Sequence, residues 1–196
     1  MARRTQAQRT DATTGRLVCA ARELFGGKGY ADTSIDAIAA AAGVTKGAAY
    51  HHFGGKVALF RAAFIREQQE VAAKLERAAV EEGGGWVSLR RGCHAFLECC
   101  KDRRFRQIVL LDAQSVLGWE AVREMEYAHV LRVLLEGLRA AVEAGDVVDG
   151  NLAQRAQLLF GALCEGGMLL ARSADPAADL SRLADETDRL LRAFKV

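Results

Sequence analysis

Only one residue in this chain is incompatible with a helix interior: Pro176 is its single proline among 196 positions. Proline removes a backbone donor and clashes with the preceding turn, so its rarity leaves long stretches free to be helical. Runs of β-branched and aromatic residues are few, and apolar side chains return every three or four positions. That period predicts an all-α protein. About nine helices fit, near 14–26, 34–41, 45–52, 56–82, 86–100, 103–115, 119–143, 152–172 and 177–194, separated by short turns.

A content of 51% hydrophobic residues is enough to bury a real core. The formal net charge is only +2, but it is unevenly placed. Residues 1–60 hold eight Lys/Arg against four Asp/Glu, and residues 61–196 hold nineteen against twenty-one. The basic excess at the N-terminal end suits a polyanionic partner there. No apolar leader core opens the chain and no stretch nears the ~20 apolar residues of a membrane span, so a soluble cytoplasmic protein is expected, with no membrane partner. The five cysteines, Cys19, Cys93, Cys99, Cys100 and Cys164, are odd in number and lack CxxC spacing. Neither a disulfide framework nor a metal site is indicated, and no cofactor is expected.

The segment from Thr33 to Phe53 has the punctuation of two short helices around a turn. Thr33, with Asp36 three residues on, reads as the cap of the first; Gly43 supplies the turn, and Thr45 caps the second. In that second helix Ala49 and Phe53, with Val44 before them, fall on one side and suit a core. Lys46 with Tyr50, and Gly47 with His51, are left on the other. Lys46 can reach a guanine edge or a phosphate, Tyr50 and His51 can donate to phosphates, and Gly47 and Ala48 lack the bulk that would hold the helix away from bases. Helix starts at Thr33, Thr45 and Lys56 offer backbone N–H groups to phosphate oxygens. A solvated surface helix would show the same side chains.

The string GYADTSIDAIAAAAGVTKGAAYHHFGGKVALF, from Gly29 to Phe60, closely resembles the TetR family of bacterial transcriptional regulators. The marks are a first helix ending in ELF, then GY, a Thr-Ser start to the second helix, IA with AGV at the turn, KG with YHHF, and a following Lys and LF. The resemblance implies a helix-turn-helix unit over residues 11–71 whose third helix enters the major groove of double-stranded operator DNA. It implies phosphate contacts at Thr33, Thr45, Tyr50, His52 and Lys56, with Ser34 in the same DNA-binding set, and a groove-facing set of Lys46, Gly47, Ala48 and His51. Ala49 departs from the larger aliphatic residue usual in the family, which implies looser packing under the third helix. Arg3, Arg4 and Arg9 precede the first helix and suit a backbone or minor-groove arm.

Residues 72–196 are expected to form a ligand-binding and dimerisation domain. Leu152, Ala156, Leu159, Leu163, Gly166 and Leu170 step by four and three, as do Leu180, Leu183, Thr187, Leu190 and Phe194. Asp175 and Pro176 start the last helix and make the two an antiparallel pair. Such a pair could simply close the monomer's own core, yet the small Ala156 and Gly166 favour close helix approach and two copies would build a four-helix bundle; the resemblance implies the same homodimer, so an inverted-repeat operator is expected. Phe64, His94, Phe105, Trp119, Tyr127 and Phe160 are the candidate lining of an effector pocket. The segment LLDAQSVLGWEAVRE, from Leu110 to Glu124, is similar to one subgroup of the family and names no ligand.

The resemblance therefore implies a homodimeric repressor released by an unidentified small-molecule effector. Two other readings stand beside it. Cys99 and Cys100, next to Lys101 and Arg103, could respond to thiol oxidation. An all-α enzyme could use the central pocket with His94 or His129 as base, although no triad, phosphate loop or paired carboxylate supports it. No catalytic residue is expected.

Overall fold

Several helix ends in this protein fall where a side-chain oxygen caps a free N–H or a left-handed glycine turns the chain. The computed structural model describes residues 6–81 and 83–196. The first helix, α1 (Gln6–Lys28), continues through Gly26 and Gly27. A Cβ on Gly26 would lie 2.7 Å from the Cα of Arg104, so a glycine is needed there for close packing and not for a turn. The turn comes at Gly29, with φ 82°, whose N–H donates to Phe25 O at 2.8 Å.

Thr33 was the expected cap of the second helix, and the structure corrects this. Its hydroxyl donates to Gly29 O at 2.8 Å and lies 3.2 Å from Leu24 O, closing the end of α1, and the residue is 2% exposed. Ser34 is the cap of α2 (Ile35–Ala41), accepting from Ala37 N–H at 3.1 Å. Thr45 caps α3 (Lys46–Phe53) by accepting from Ala48 N–H at 3.1 Å, and Gly54, at φ 71°, ends it with an N–H to Tyr50 O. The long α4 (Lys56–Glu81) follows and carries the chain past residue 71 without a break. Phe25, Tyr30 and Phe60 pack ring against ring at 5.1 to 5.8 Å and tie the first turn to α4.

Beyond it come α5 (Gly85–Cys99) and a continuous helical path built of α6 (Arg103–Phe105), a π-helical stretch (Arg106–Asp112) and α7 (Ala113–Leu117). The helix expected over 119–143 is two, α8 (Trp119–Ala128) and α9 (Val130–Glu143), broken at His129 with φ −128° and ψ −95°. Their buried faces run in phase through the break, Val122 and Glu126 leading to Val130, Leu134 and Leu138, so the spacing hides it. With α10 (Leu152–Arg172) and α11 (Pro176–Arg192), capped by Asn151 and Asp175, the described residues form ten helical stretches and no strand. None is long and apolar enough to cross a membrane.

The stripe expected to join two copies faces inward. Ala156, Leu159, Leu163, Gly166 and Leu170 are buried within the protomer and Leu152 is half-buried. A Cβ on Gly166 would meet Leu97 of α5 at 3.1 Å. Leu180, Leu183 and Phe194 pack on the same core, which leaves Leu190, 51% exposed, as the one member of the set at the surface. The seven-residue period closes the monomer's own bundle. The face of α10 turned outward carries Leu158, Gly161, Ala162, Glu165 and Leu169 instead.

Candidate nucleic-acid interface

Helix α3 stands on Ala49, 2% exposed, with Val44 and Phe53 half-buried against the core. The small Ala49 therefore closes against the helices beneath it. Lys46, Gly47, Tyr50 and His51 are exposed together and Ala48 half so. A Cβ on Gly47 would find nothing nearer than Thr45 Oγ1 at 4.0 Å, so no packing inside the protein calls for glycine at this position.

Other groups place the helix. His52 is half-buried, with Nδ1 3.3 Å from the Thr14 hydroxyl of α1, and its ring meets that of His51 edge-on at 5.7 Å. Lys46 is held by Asp36 of α2, at 2.9 Å to Oδ1 and 3.0 Å to Oδ2. Lys56 donates to Ala31 O at 3.3 Å and lies 4.1 Å over the Tyr30 ring, so its ammonium braces the turn after α1. Of the expected phosphate set, Thr33 drops out because its hydroxyl is committed inward; Ser34, Thr45 and Tyr50 remain at the surface. Arg3, Arg4 and the side chain of Arg9 lie outside the described residues.

Spacing gave no sign of the network behind this face. Arg22 of α1 binds Glu67 at 2.8 Å and pairs with Glu70 through two further nitrogens. Arg104 of α6 reaches the same Glu67 oxygen at 2.8 Å and Glu23 at 2.6 Å. The hydrogen bond from Arg22 holds the Glu70 carboxyl below its ordinary range. Nearby, Arg103 donates to Gly27 O at 2.9 Å, and Asp112 accepts from Tyr30 N–H at 2.8 Å. The path from α6 to α7 is thus fastened at both ends to the C-terminal end of α1 and the turn after it. Asp112 falls inside the Leu110–Glu124 segment that is similar to one subgroup of the TetR family.

The expected pocket residues do not converge. Phe64 is fully buried in the core, His94 turns toward α11 to meet Asp188 at 2.7 Å, and Trp119 and Tyr127 are exposed on α8. Phe105 packs edge-on against Phe96 at 5.9 Å, in closed core. Phe160 lines a cavity of about 40 Å³ between α4, α5, α9 and α10, shared with Leu75, Phe96, Leu134 and Leu163. The polar Ser88 on its wall is already satisfied, donating to Ala79 O at 2.6 Å and accepting from Gly84 N–H at 2.9 Å.

The thiols fare similarly. Cys100 is fully buried and Cys99 nearly so, and burial pushes both thiols up. Arg103, one of the cations expected to lower them, is spent on Gly27. Among the described residues no cluster of His, Cys, Asp and Glu could hold a metal ion.

Two family descriptions match this chain. Residues 17–63 match the family described as bacterial regulatory proteins, tetR family, and residues 86–194 match the tetracyclin repressor-like C-terminal domain. A TetR-family transcriptional regulator from Pectobacterium atrosepticum is 31% identical in sequence and superimposes with a TM-score of 0.81, over 98% of each chain. The HTH-type transcriptional regulator SrpR of Pseudomonas putida is 27% identical, over 94% of this chain and 86% of its own. The TetC protein of transposon Tn10 from Escherichia coli is 30% identical over 64% of this chain, which spans 63% of that protein's length. The Pectobacterium protein and SrpR are both described as transcriptional regulators. A family match over residues 86–194, more than half of the sequence, and another across the reading helices make this chain a member of the TetR family of DNA-binding transcriptional regulators.

Proposed function

We propose that this protein is a homodimeric repressor that reads an inverted-repeat operator with α3 and lets it go when a small apolar molecule opens its central cavity. The observation that carries the DNA reading is Gly47. It sits among Lys46, Tyr50 and His51 on an exposed face, and the position a Cβ would take has only Thr45 Oγ1 near it, at 4.0 Å. A bare spot between donors allows backbone and side chains to approach base edges in a major groove. Ser34, Thr45 and Tyr50 contribute phosphate contacts that fix register, and His52 holds α3 against α1.

The second copy docks on the outward face of α10. Leu158 is 76% exposed and Leu169 48%, with Gly161 and Ala162 between them. Small residues between two exposed leucines favour close helix approach, and a C2 pairing of this face with its copy would cover both.

The effector site is the cavity between α4, α5, α9 and α10. Its wall offers shape and apolar area and no free polar group beyond the Cys93 thiol, so the effector is apolar. At about 40 Å³ the cavity must widen to admit it. A ligand that binds the widened state better shifts the equilibrium toward it, by no more than its difference in affinity. Phe96 lines the cavity and Phe105 packs on Phe96; Arg103 and Arg104, next in the chain, hold α1 and α4. Outward motion of Phe96 would draw this clamp with it.

The experiment is selection of duplexes from a random pool by the intact protein, followed by a screen for apolar compounds that release the winner. An enriched inverted repeat, and release that Phe105→Ala weakens while duplex affinity stays, is expected. No enrichment, or enrichment of a single half-site by a monomer, contradicts the reading.

A further inference from the structure

Helix α2 places a carboxylate on the face assigned to DNA, where a polyanion would be repelled by it. Asp36 and Lys46 are 61% and 59% exposed, and both Asp36 oxygens approach the ammonium, at 2.9 and 3.0 Å. An ion pair in open solvent contributes little to stability. The N-terminal end of α2 is already capped by Ser34, so the acid there adds only a modest interaction with the helix dipole. Folding therefore gives a weak reason for an acid at this position.

DNA gives a stronger one. An ammonium has three donors. With two engaged by Asp36, Lys46 keeps one for an acceptor, and the carboxylate beside it keeps free lone pairs. A donor next to an acceptor matches the major-groove edge of one base pair in particular: guanine shows acceptors at N7 and O6, and cytosine shows the N4 amino donor. The pairing also prevents the flexible lysine from reaching a phosphate, which would add affinity for every sequence alike.

We propose that Asp36 is a specificity-determining residue and that the Asp36–Lys46 pair reads one G·C base pair in each half-site. The inference rests on the operator-reading role of α3. On random DNA the pair stays closed and Lys46 neutralises no phosphate. At the matching step Lys46 donates to guanine while Asp36 accepts from the cytosine amino group.

The test takes the duplex that the wild-type protein selects, the set of its single base-pair replacements, and a random duplex. Affinities are measured over a range of salt for wild type, Asp36→Ala, Asp36→Asn and Lys46→Ala, with thermal melting to verify that each variant folds. In the wild type one G·C position per half-site should cost roughly tenfold or more when replaced. Asp36→Ala and Asp36→Asn should reduce that penalty several-fold, raise affinity for the random duplex several-fold, and steepen its salt dependence by about one phosphate. A profile unchanged in both Asp36 variants, or affinities for all duplexes falling in parallel, overturns the inference and leaves the DNA reading intact. A wild-type protein that selects no motif overturns both.

Discussion

Nε of Arg104 in α6 and Oε1 of Glu67 in α4 lie 2.8 Å apart, and the same oxygen takes Nε of Arg22 in α1 at 2.8 Å. One carboxylate, 3% exposed, thus joins three helices, α1, α4 and α6. The backbone of Arg104 simultaneously rests on Gly26.

Removing the carboxylate leaves two guanidinium groups facing each other in a largely buried site. Glu67→Ala should therefore destabilise the fold by about 3 kcal/mol, in the range for breaking a buried pair. Chemical unfolding followed by circular dichroism measures it. A loss below about 1 kcal/mol would show that Glu70 and Glu23 compensate.

Glu126 supplies a pH dependence. Burial pushes its carboxyl up to about 7, and Arg123, 3.1 Å away, only partly offsets this. An acid whose pKa is raised on folding binds its proton more tightly in the native state. Its contribution is fully present below the unfolded value of about 4.3 and is lost as pH climbs through 7. Glu126→Gln should flatten stability between pH 5 and 7.5 and raise it at pH 8 by about 3 kcal/mol or less. Melting curves across that pH range decide it, and a variant with the wild-type slope would contradict the assignment.

The two faces of α10 should separate cleanly under mutation. Leu158→Glu, on the outer face, should leave the melting of the monomer fold near normal and shift the mass in sedimentation to that of a single chain. Leu163→Ala, 3% exposed beside the cavity, should cost ~2–5 kcal/mol in folding and keep the dimer at concentrations where it folds. Dissociation by the inner mutation alone would reverse the assignment.

The sequence made some of this plain and concealed the rest for identifiable reasons. Helix α3 was legible because Thr45 and Gly54 mark its ends with residues whose chemistry leaves few alternatives. Thr33 and Ser34 are adjacent and both suit a cap; the carbonyl of Gly29, folded back toward Thr33, decides between them. The leucine stripe of α10 was recognisable as buried, yet a seven-residue period serves packing within a chain and between chains equally. An aromatic ring or a polar tip does not distinguish the exposed Trp119 from the enclosed Phe160. The Asp36–Lys46 and Arg104–Glu67 pairs join separate helices, and helical spacing rules reach only three or four residues.

The central claim is that the bare face around Gly47 meets base edges, and Gly47→Leu tests it most directly. Leucine favours helix over glycine by nearly 1 kcal/mol, and a Cβ here would come no nearer than 4.0 Å to any neighbour, Thr45 Oγ1, so the variant should melt no lower than wild type. Its affinity for the selected duplex, measured by fluorescence anisotropy, should fall at least 100-fold, because the side chain would occupy the space the groove needs. Unchanged affinity in a folded Gly47→Leu protein would contradict the account.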